Sequence, residues 1–118
     1  MPNLIHLVRV YDAAPPFPAL TFLIDRLWPR GISKIRLDGV IWLKEIAPSH
    51  ELRKWFHVDP TRWDAFVGAY REELKRQPTC EVLLEHINQR ERVTLLYGSK
   101  DAQHNHAIVL RDFLLERK

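Results

Sequence analysis

The chain is poor in cysteine and has no long hydrophobic run. Cys80 is its only cysteine, which excludes an internal disulfide and a metal site built from cysteines. We expect Cys80 to be a buried structural thiol, because Val82 and Leu83 lie beside it in an apolar stretch. No apolar run approaches the roughly 18 residues of a membrane span, and the N-terminus lacks the basic and apolar segments of a signal peptide. The expected setting is the cytoplasm, without a membrane partner.

Familiar motifs for phosphate and nucleic-acid binding are also missing. The sequence has no glycine-rich phosphate loop, no G-x-G-x-x-G fingerprint and no zinc-finger spacing. A basic pair at 53–54 precedes Trp55 and Phe56, as in some single-strand binding surfaces. Because Leu52, Trp55 and Phe56 share one helical face, core packing is the favoured interpretation. The sequence predicts no cofactor, and nucleic acid is kept only as an alternative partner.

The composition is that of a globular protein. Of the 118 residues, 46% are hydrophobic and 28% are charged. A chain of this length buries about two thirds of the surface that its unfolded form exposes. We therefore expect a single domain over residues 1–118, with a core that needs neither a disulfide nor a metal.

Positive charge is concentrated in one segment. The formal net charge is +3, but residues 26–54 hold seven basic and three acidic side chains, a local excess of four positive charges. Such a segment is typical either of solvated surface or of a pocket or groove that binds an anion. The charge pattern alone leaves both interpretations open.

Strand and helix patterns alternate along the chain. The predicted strands are residues 4–11, 20–27, 40–43 and 93–97. The third is continuously apolar, which is typical of a strand covered on both faces. Predicted helices begin after the capping signals Ser49 and Asp59-Pro60, and two more cover residues 81–88 and 105–118. This alternation predicts a compact α/β domain whose largely parallel sheet has about four strands flanked by helices.

Each predicted helix has an apolar face that we expect to pack on the core. These positions are Leu52, Trp55 and Phe56 in the first helix; Trp63, Phe66, Val67, Tyr70 and Leu74 in the second; Val82, Leu83 and Ile87 in the third; and Ile108, Val109, Phe113 and Leu114 in the last. We interpret the aromatic stripe of the second helix as packing, not as a stacking platform.

Charged and polar side chains follow three of the predicted strands. Because the carboxyl ends of parallel strands meet at one edge of an open sheet, we expect these side chains to line one crevice. They are Asp25, Arg26, Trp28 and Arg30 after the second strand, Lys44 and Ser49 after the third, and Ser99, Lys100, Asp101, His104, Asn105 and His106 after the last. Two of these turns also lead into helix N-termini, which favour anions.

The basic candidates have two interpretations. Arg30 lies in a Trp-Pro-Arg-Gly turn, where its guanidinium could bind a phosphate or carboxylate through two parallel hydrogen bonds. Arg26 and Lys44 either contact a ligand in the same way or form structural salt bridges with the neighbouring Asp25 and Glu45.

The histidines and Asp101 are candidates for proton transfer. His104 and His106 have a spacing that can chelate zinc, but it spans a loop and a helix start and no third ligand accompanies it, so we predict no metal site. A histidine that titrates near neutrality can act as an acid or base, or hydrogen-bond across a pocket. Asp101 is either a catalytic acid or base, or a loop carboxylate that caps a helix.

Several stretches together have a recognisable family pattern. They are residues 23–31 (LIDRLWPRG), 42–49 (WLKEIAPS), 51–56 (ELRKWF), 93–101 (VTLLYGSKD) and 104–107 (HNHA). The sequence resembles the YeaO-like branch of the family called domain of unknown function 488. The resemblance implies a compact α/β protein, mostly bacterial or archaeal. It also implies that a cysteine-dependent mechanism does not carry over, because wider relatives have a Cys-His-Arg triplet near the position of His104, Asn105 and His106.

Two functions of different classes fit these residues. The first is a small enzyme acting on an anionic, phosphate-bearing or nucleotide-like substrate. In that enzyme Arg26, Arg30 and Lys44 would hold the anion, Asp25 or Asp101 would move protons with His104 or His106, and Lys100 would stabilise developing charge. The second is a non-catalytic module that senses a nucleotide or docks on nucleic acid. The sequence predicts no particular oligomeric state.

Overall fold

The computed structural model describes residues 4–117, which form four β-strands and four α-helices. The strands are β1 (Ile5–Arg9), β2 (Thr21–Leu23), β3 (Ile41–Trp42) and β4 (Val93–Tyr97). The helices are α1 (His50–Val58), α2 (Trp63–Lys75), α3 (Cys80–Asn88) and α4 (His106–Arg117). None of the helices among these residues is both long and apolar enough to cross a membrane.

The four strands form one parallel sheet in the order β1-β4-β2-β3. The last strand of the chain, β4, is inserted between β1 and β2, so that Leu95 is paired with both Leu7 and Phe22. All five residues of β4 are buried, as expected for a strand with a neighbour on each side. The predicted α/β class and parallel sheet are confirmed. Because every strand runs the same way, the loops after β1, β2 and β4 emerge at one edge.

The prediction for the third strand is wrong in both length and environment. We expected residues 40–43 to be covered on both faces, but β3 contains two residues, Ile41 and Trp42, which are 46% and 37% exposed. The physical reason is its edge position, since it pairs only with β2. The second strand is also shorter than the predicted 20–27, although beyond its end the amide of Ile24 still donates to the carbonyl oxygen of Leu96, at 3.1 Å.

Capping side chains start two of the helices where the sequence predicts. The Ser49 hydroxyl accepts from the amide of Leu52 at 3.2 Å and begins α1. Asp59 accepts from the amide of Thr61 at 3.1 Å and begins a 3₁₀ turn over residues 60–62 that leads into α2. These local hydrogen bonds explain why both helix starts are readable from sequence.

The helices bury most of the predicted apolar faces against the sheet. Phe66, Tyr70 and Leu74 of α2 are buried, with Trp63 and Val67 partly so, and α4 buries Ala107, Val109, Leu110, Phe113 and Leu114 while Ile108 is half-buried. In α3 the buried residues are Cys80, Leu83, Leu84 and Ile87, which recur at helical spacing. Val82 falls off that face and is 43% exposed, and Trp55 is 40% exposed, so both were wrongly assigned to the core.

The prediction of a buried, structural Cys80 is confirmed. Its side chain lies in the main core, and burial raises the pKa of the thiol to about 11. A thiol with so high a pKa holds its proton at neutral pH and is a poor nucleophile.

Candidate functional site

A cavity of about 650 Å³ opens at the carboxyl ends of β2 and β4. Its lining includes residues 25–30 after β2, residues 98–101 and 104–106 after β4, the segment at 47–48 and part of α1. Phe66 of α2 and Tyr11 after β1 complete the aromatic part of the lining. We call this space the strand-end cavity.

Ten of the twelve side chains expected at the crevice line this cavity. They are Asp25, Arg26, Trp28, Arg30, Ser99, Lys100, Asp101, His104, Asn105 and His106. Arg30 and Lys100 come from loops far apart in the sequence, and the insertion of β4 beside β2 brings them to the same cavity. The structure therefore brings most of the candidates together, while the roles predicted for them stay predictions.

Lys44 and Ser49 are not among the described residues that line the cavity. The ammonium of Lys44 lies 5.3 Å from the centroid of the Trp42 ring, a cation–π contact. Ser49 donates from its amide and its hydroxyl to the carboxylate of Glu73, at 2.8 and 2.6 Å. Ser49 thus links the start of α1 to Glu73 of α2.

Asp25 and His106 form the most enclosed polar pair of the site. Their side chains are 20% and 14% exposed, and Nε2 of His106 lies 3.0 Å from Oδ1 of Asp25. The same Nε2 lies 3.1 Å from the carbonyl oxygen of Ile24. A carbonyl oxygen only accepts, so Nε2 carries a proton and donates it there. Oδ1 of Asp25 is buried and has no hydrogen bond of good geometry within the described chain, because this proton points to Ile24.

Two neighbours fix the position of Asp25. The indole Nε1 of Trp42 donates to the carbonyl oxygen of Asp25 at 2.7 Å. Gly98 lies against the carboxylate, and a Cβ atom at that position would be 2.6 Å from Oδ2. The exposed edge strand and a glycine at the end of β4 therefore both shape the site.

Arg26 and the turn after it hold the cavity together through backbone carbonyls. Nε and Nη2 of Arg26 donate to the carbonyl oxygens of Pro48 and Ala47, each at 3.0 Å, in place of the salt bridge with Asp25 considered from sequence. Nε1 of the half-buried Trp28 donates to the carbonyl oxygen of Ile32 at 2.6 Å. This hydrogen bond closes the turn that contains Arg30. The exposed side chain of Arg30 is thus presented by a fixed turn.

The loop after β4 is wound around Asp101. Oδ1 of Asp101 accepts from the amides of Gln103 and His104, at 2.9 and 3.0 Å, and Oδ2 lies 3.2 Å from Nδ1 of His104. These hydrogen bonds lower the pKa of Asp101, and the bond from the Gln103 amide has the largest effect. Asn105 donates to the carbonyl of Asp101 at 2.8 Å and accepts from the amide of Ile108 at 3.1 Å, which caps α4. This geometry supports the interpretation of Asp101 as a loop carboxylate.

Helix α1 contributes lining residues that sequence reasoning missed. Arg53, Phe56 and His57 line the cavity, and Nε of Arg53 is buried without a hydrogen-bond partner among residues 4–117. Their spacing of three and four positions puts them on one helical face, but this spacing does not indicate that the face lies at the cavity. The basic pair at 53–54 is therefore divided, with Arg53 at the cavity and Lys54 exposed.

The lining is positively charged. It contains four cations, Arg26, Arg30, Arg53 and Lys100, and two carboxylates, Asp25 and Asp101, a formal excess of two positive charges with neutral histidines. Within residues 4–117 no ion pair shorter than 4.0 Å involves any of these four cations, because both carboxylates lie beside histidines. Cations without acidic partners in a concave site attract anions.

The family model described as the inactive DUF488-N3 subclade matches residues 4–118. The chain belongs to this subclade of the DUF488 family. It is 43% identical over 106 residues to "Uncharacterized protein YeaO" of Escherichia coli (strain K12), covering 90% of this chain and 92% of that protein. It is 36% identical over 110 residues to "Uncharacterized protein Rv3073c" of Mycobacterium tuberculosis (strain ATCC 25618 / H37Rv), covering 93% and 92%. No solved structure matches the chain.

The DUF488 resemblance seen in the sequence is thereby confirmed. In this member the single cysteine, Cys80, is a core residue of α3 and does not line the cavity. The cysteine triplet expected of wider relatives has no counterpart at His104, Asn105 and His106. The cavity lining therefore offers carboxylates, imidazoles and cations as its reactive groups.

Proposed function

We propose that this protein binds a small phosphate-bearing, nucleotide-like ligand in the strand-end cavity and releases it unchanged. The observation that carries the proposal is the group of four cationic side chains, Arg26, Arg30, Arg53 and Lys100, that have no acidic partner within ion-pair distance among the described residues. Arginine binds phosphate through paired hydrogen bonds, and lysine adds a point charge.

The size and aromatic lining of the cavity support a nucleotide-like ligand. A volume of about 650 Å³ lies within the usual range for small-molecule sites. Tyr11, Trp28, Phe56 and Phe66 provide apolar surface beside the cations. This combination suits a ligand that has a charged end and a flat or apolar end.

Binding without turnover is favoured over catalysis by two observations. The subclade is described as inactive. Asp101 and His104, two of the candidate proton-transfer groups, hydrogen-bond each other in the loop that they organise. The adjacent Asp25 and His106 favour the second candidate function, an enzyme that transfers a proton to or from the same phosphate-bearing ligand.

Calorimetric titration with adenosine monophosphate tests the proposal. We expect measurable binding by the wild-type protein and a loss of about tenfold in affinity for each of Arg30→Gln and Lys100→Gln, because each variant removes a charged contact to phosphate. Lys54→Gln is the matched control, since Lys54 is exposed on α1 outside the cavity lining. Equal affinities for all four proteins, or no binding to any of them, would contradict the proposal.

Two further measurements separate the alternatives. Phosphorus NMR after incubation should show unchanged adenosine monophosphate, whereas a new phosphorus signal would establish the enzyme instead. A single-stranded oligonucleotide should bind no more tightly than the mononucleotide. Tighter oligonucleotide binding that weakens steeply with salt would favour the nucleic-acid module, because contacts to many phosphates release many counterions.

A further inference from the structure

Asp25 is an unexpected group in a cavity that attracts anions. Its carboxylate lines the cavity, its side chain is 20% exposed, and the side chain beside it is that of His106, at 3.0 Å from Oδ1. Arg26 directs its guanidinium to the carbonyls of Ala47 and Pro48 and not to this carboxylate. A carboxylate repels a phosphate ligand unless another part of the ligand interacts favourably with it.

The carboxylate of Asp25 has unused capacity to accept hydrogen bonds. An ionised carboxylate offers about four lone-pair positions. Oδ1 is buried beside Nε2 of His106, so a ligand donor would meet Oδ2, to which no described residue donates a hydrogen bond. Oδ2 lies against Gly98, whose lack of a Cβ atom leaves room for it. The site therefore keeps a charged acceptor in place and leaves it short of donors.

We infer that the ligand is a phosphate monoester that also has a hydroxyl or amino group, and that this group donates a hydrogen bond to Asp25. The inference rests on the proposed function, because cations such as Arg30 and Lys100 must hold the phosphate first. A site built around a charged acceptor discriminates strongly against ligands that lack the matching donor. Asp25 is then the group that selects among phosphate monoesters, and Gly98 is a positioning residue for it.

Two phosphate monoesters of equal phosphate charge test this inference. Ribose 5-phosphate has hydroxyl groups beside its phosphate, and methyl phosphate has none. We expect the wild-type protein to bind ribose 5-phosphate at least about tenfold more tightly, which is the effect of one charge-assisted hydrogen bond. Equal affinities for the two esters would overturn the inference and leave the proposed function intact. Failure to bind either ester by a protein that binds adenosine monophosphate would overturn the inference alone, and failure to bind all three would overturn both.

Asp25→Asn should abolish the preference for ribose 5-phosphate. Asparagine keeps the size of the side chain and removes its charge, so binding of ribose 5-phosphate should fall about tenfold. Binding of methyl phosphate should stay the same or increase, because a repulsive charge has been removed. A folded Asp25→Asn protein that binds ribose 5-phosphate as tightly as the wild type would contradict the role of Asp25.

Gly98→Ala provides a second variant in which every charge is kept. Its Cβ atom would lie 2.6 Å from Oδ2, so the carboxylate must move. Gly98 is not among the glycines with positive φ, so alanine adopts this backbone readily. We expect weaker binding of ribose 5-phosphate with unchanged binding of methyl phosphate. Equal weakening of both esters would mean a general loss of cavity shape and would contradict the specific role of Asp25.

Discussion

At the scale of single residues, Asp101 shows how one carboxylate can organise a loop of the site. It accepts hydrogen bonds from the amides of Gln103 and His104, and these lower its pKa. Native hydrogen bonds of this kind favour the ionised form, so they stabilise the folded protein only while Asp101 is ionised. The conformation of the loop after β4, which leads into α4, depends on these bonds.

The loss of protein stability at acidic pH should therefore depend on Asp101. Its ordinary pKa is 3.8 and its folded pKa is lower, so its contribution to stability is present above about pH 4 and is lost as pH falls through the folded pKa. Asp101→Asn should lower the melting temperature at pH 6, and the difference from the wild type should shrink toward pH 3. Melting curves between these pH values measure this. A constant difference, or the same behaviour in the control variant Asp38→Asn, which alters an exposed carboxylate, would contradict it.

A residue's place at the cavity could be predicted where a local motif marks the position, while its role stays a prediction. Arg30 is recognisable from its turn, and Lys100 from its place after the clearest strand. Arg53 was missed because its place at the cavity depends on how α1 packs, which local pattern does not determine. The need for glycine at position 98 could not be predicted either, since it arises from contact with Asp25, which follows a different strand.

At the scale of elements, helix α1 is positioned by hydrogen bonds at its N-terminus. Ser49 caps the helix and also donates to Glu73 of α2, while Arg26 holds the carbonyls of Ala47 and Pro48 just before the helix begins. This arrangement sets the position of Arg53, which reaches the cavity from the same helix. The geometry of one helix start therefore affects the binding site.

Removal of the Ser49 hydroxyl should destabilise the protein. Ser49→Ala loses the cap at Leu52 and the hydroxyl bond to Glu73, and we expect a loss of about 1–2 kcal/mol in the free energy of unfolding. Urea denaturation measures it, with Ser49→Thr, which keeps a hydroxyl, as the matched control. Unchanged stability combined with a large loss of ligand affinity would instead support the direct ligand contact predicted from sequence.

Hydrophobic pattern and capping signals together predicted the type of the four strands and four α-helices among the described residues. Strand β4 was predicted over its full length because a short and mainly apolar run, with two β-branched residues, ends at a glycine there. The prediction for the third strand was wrong for a physical reason. An apolar run indicates a strand, but it does not show whether that strand has one neighbour or two. The order β1-β4-β2-β3 likewise depends on pairing between distant segments.

At the scale of the whole molecule, the parallel sheet accounts for the position of the candidate site. With all strands parallel and β4 between β1 and β2, the charged loops after β2 and β4 meet at one edge. The positive segment recognised in the sequence contributes Arg26, Arg30 and Arg53 to this edge, and Lys100 comes from the opposite end of the chain. An anion at the strand ends is the ligand that this distribution of charge favours.

The central claim is that a phosphate-bearing ligand occupies the strand-end cavity, and amide NMR shifts during titration with adenosine monophosphate test it most directly. The account predicts that the shift changes are concentrated in residues 25–30, 98–101 and 104–106 and at Arg53, Phe56 and His57, which line the cavity, and that they are absent from α3, which contributes no described residue to the lining. Saturable shift changes confined to other surfaces, or no changes at millimolar ligand, would contradict it.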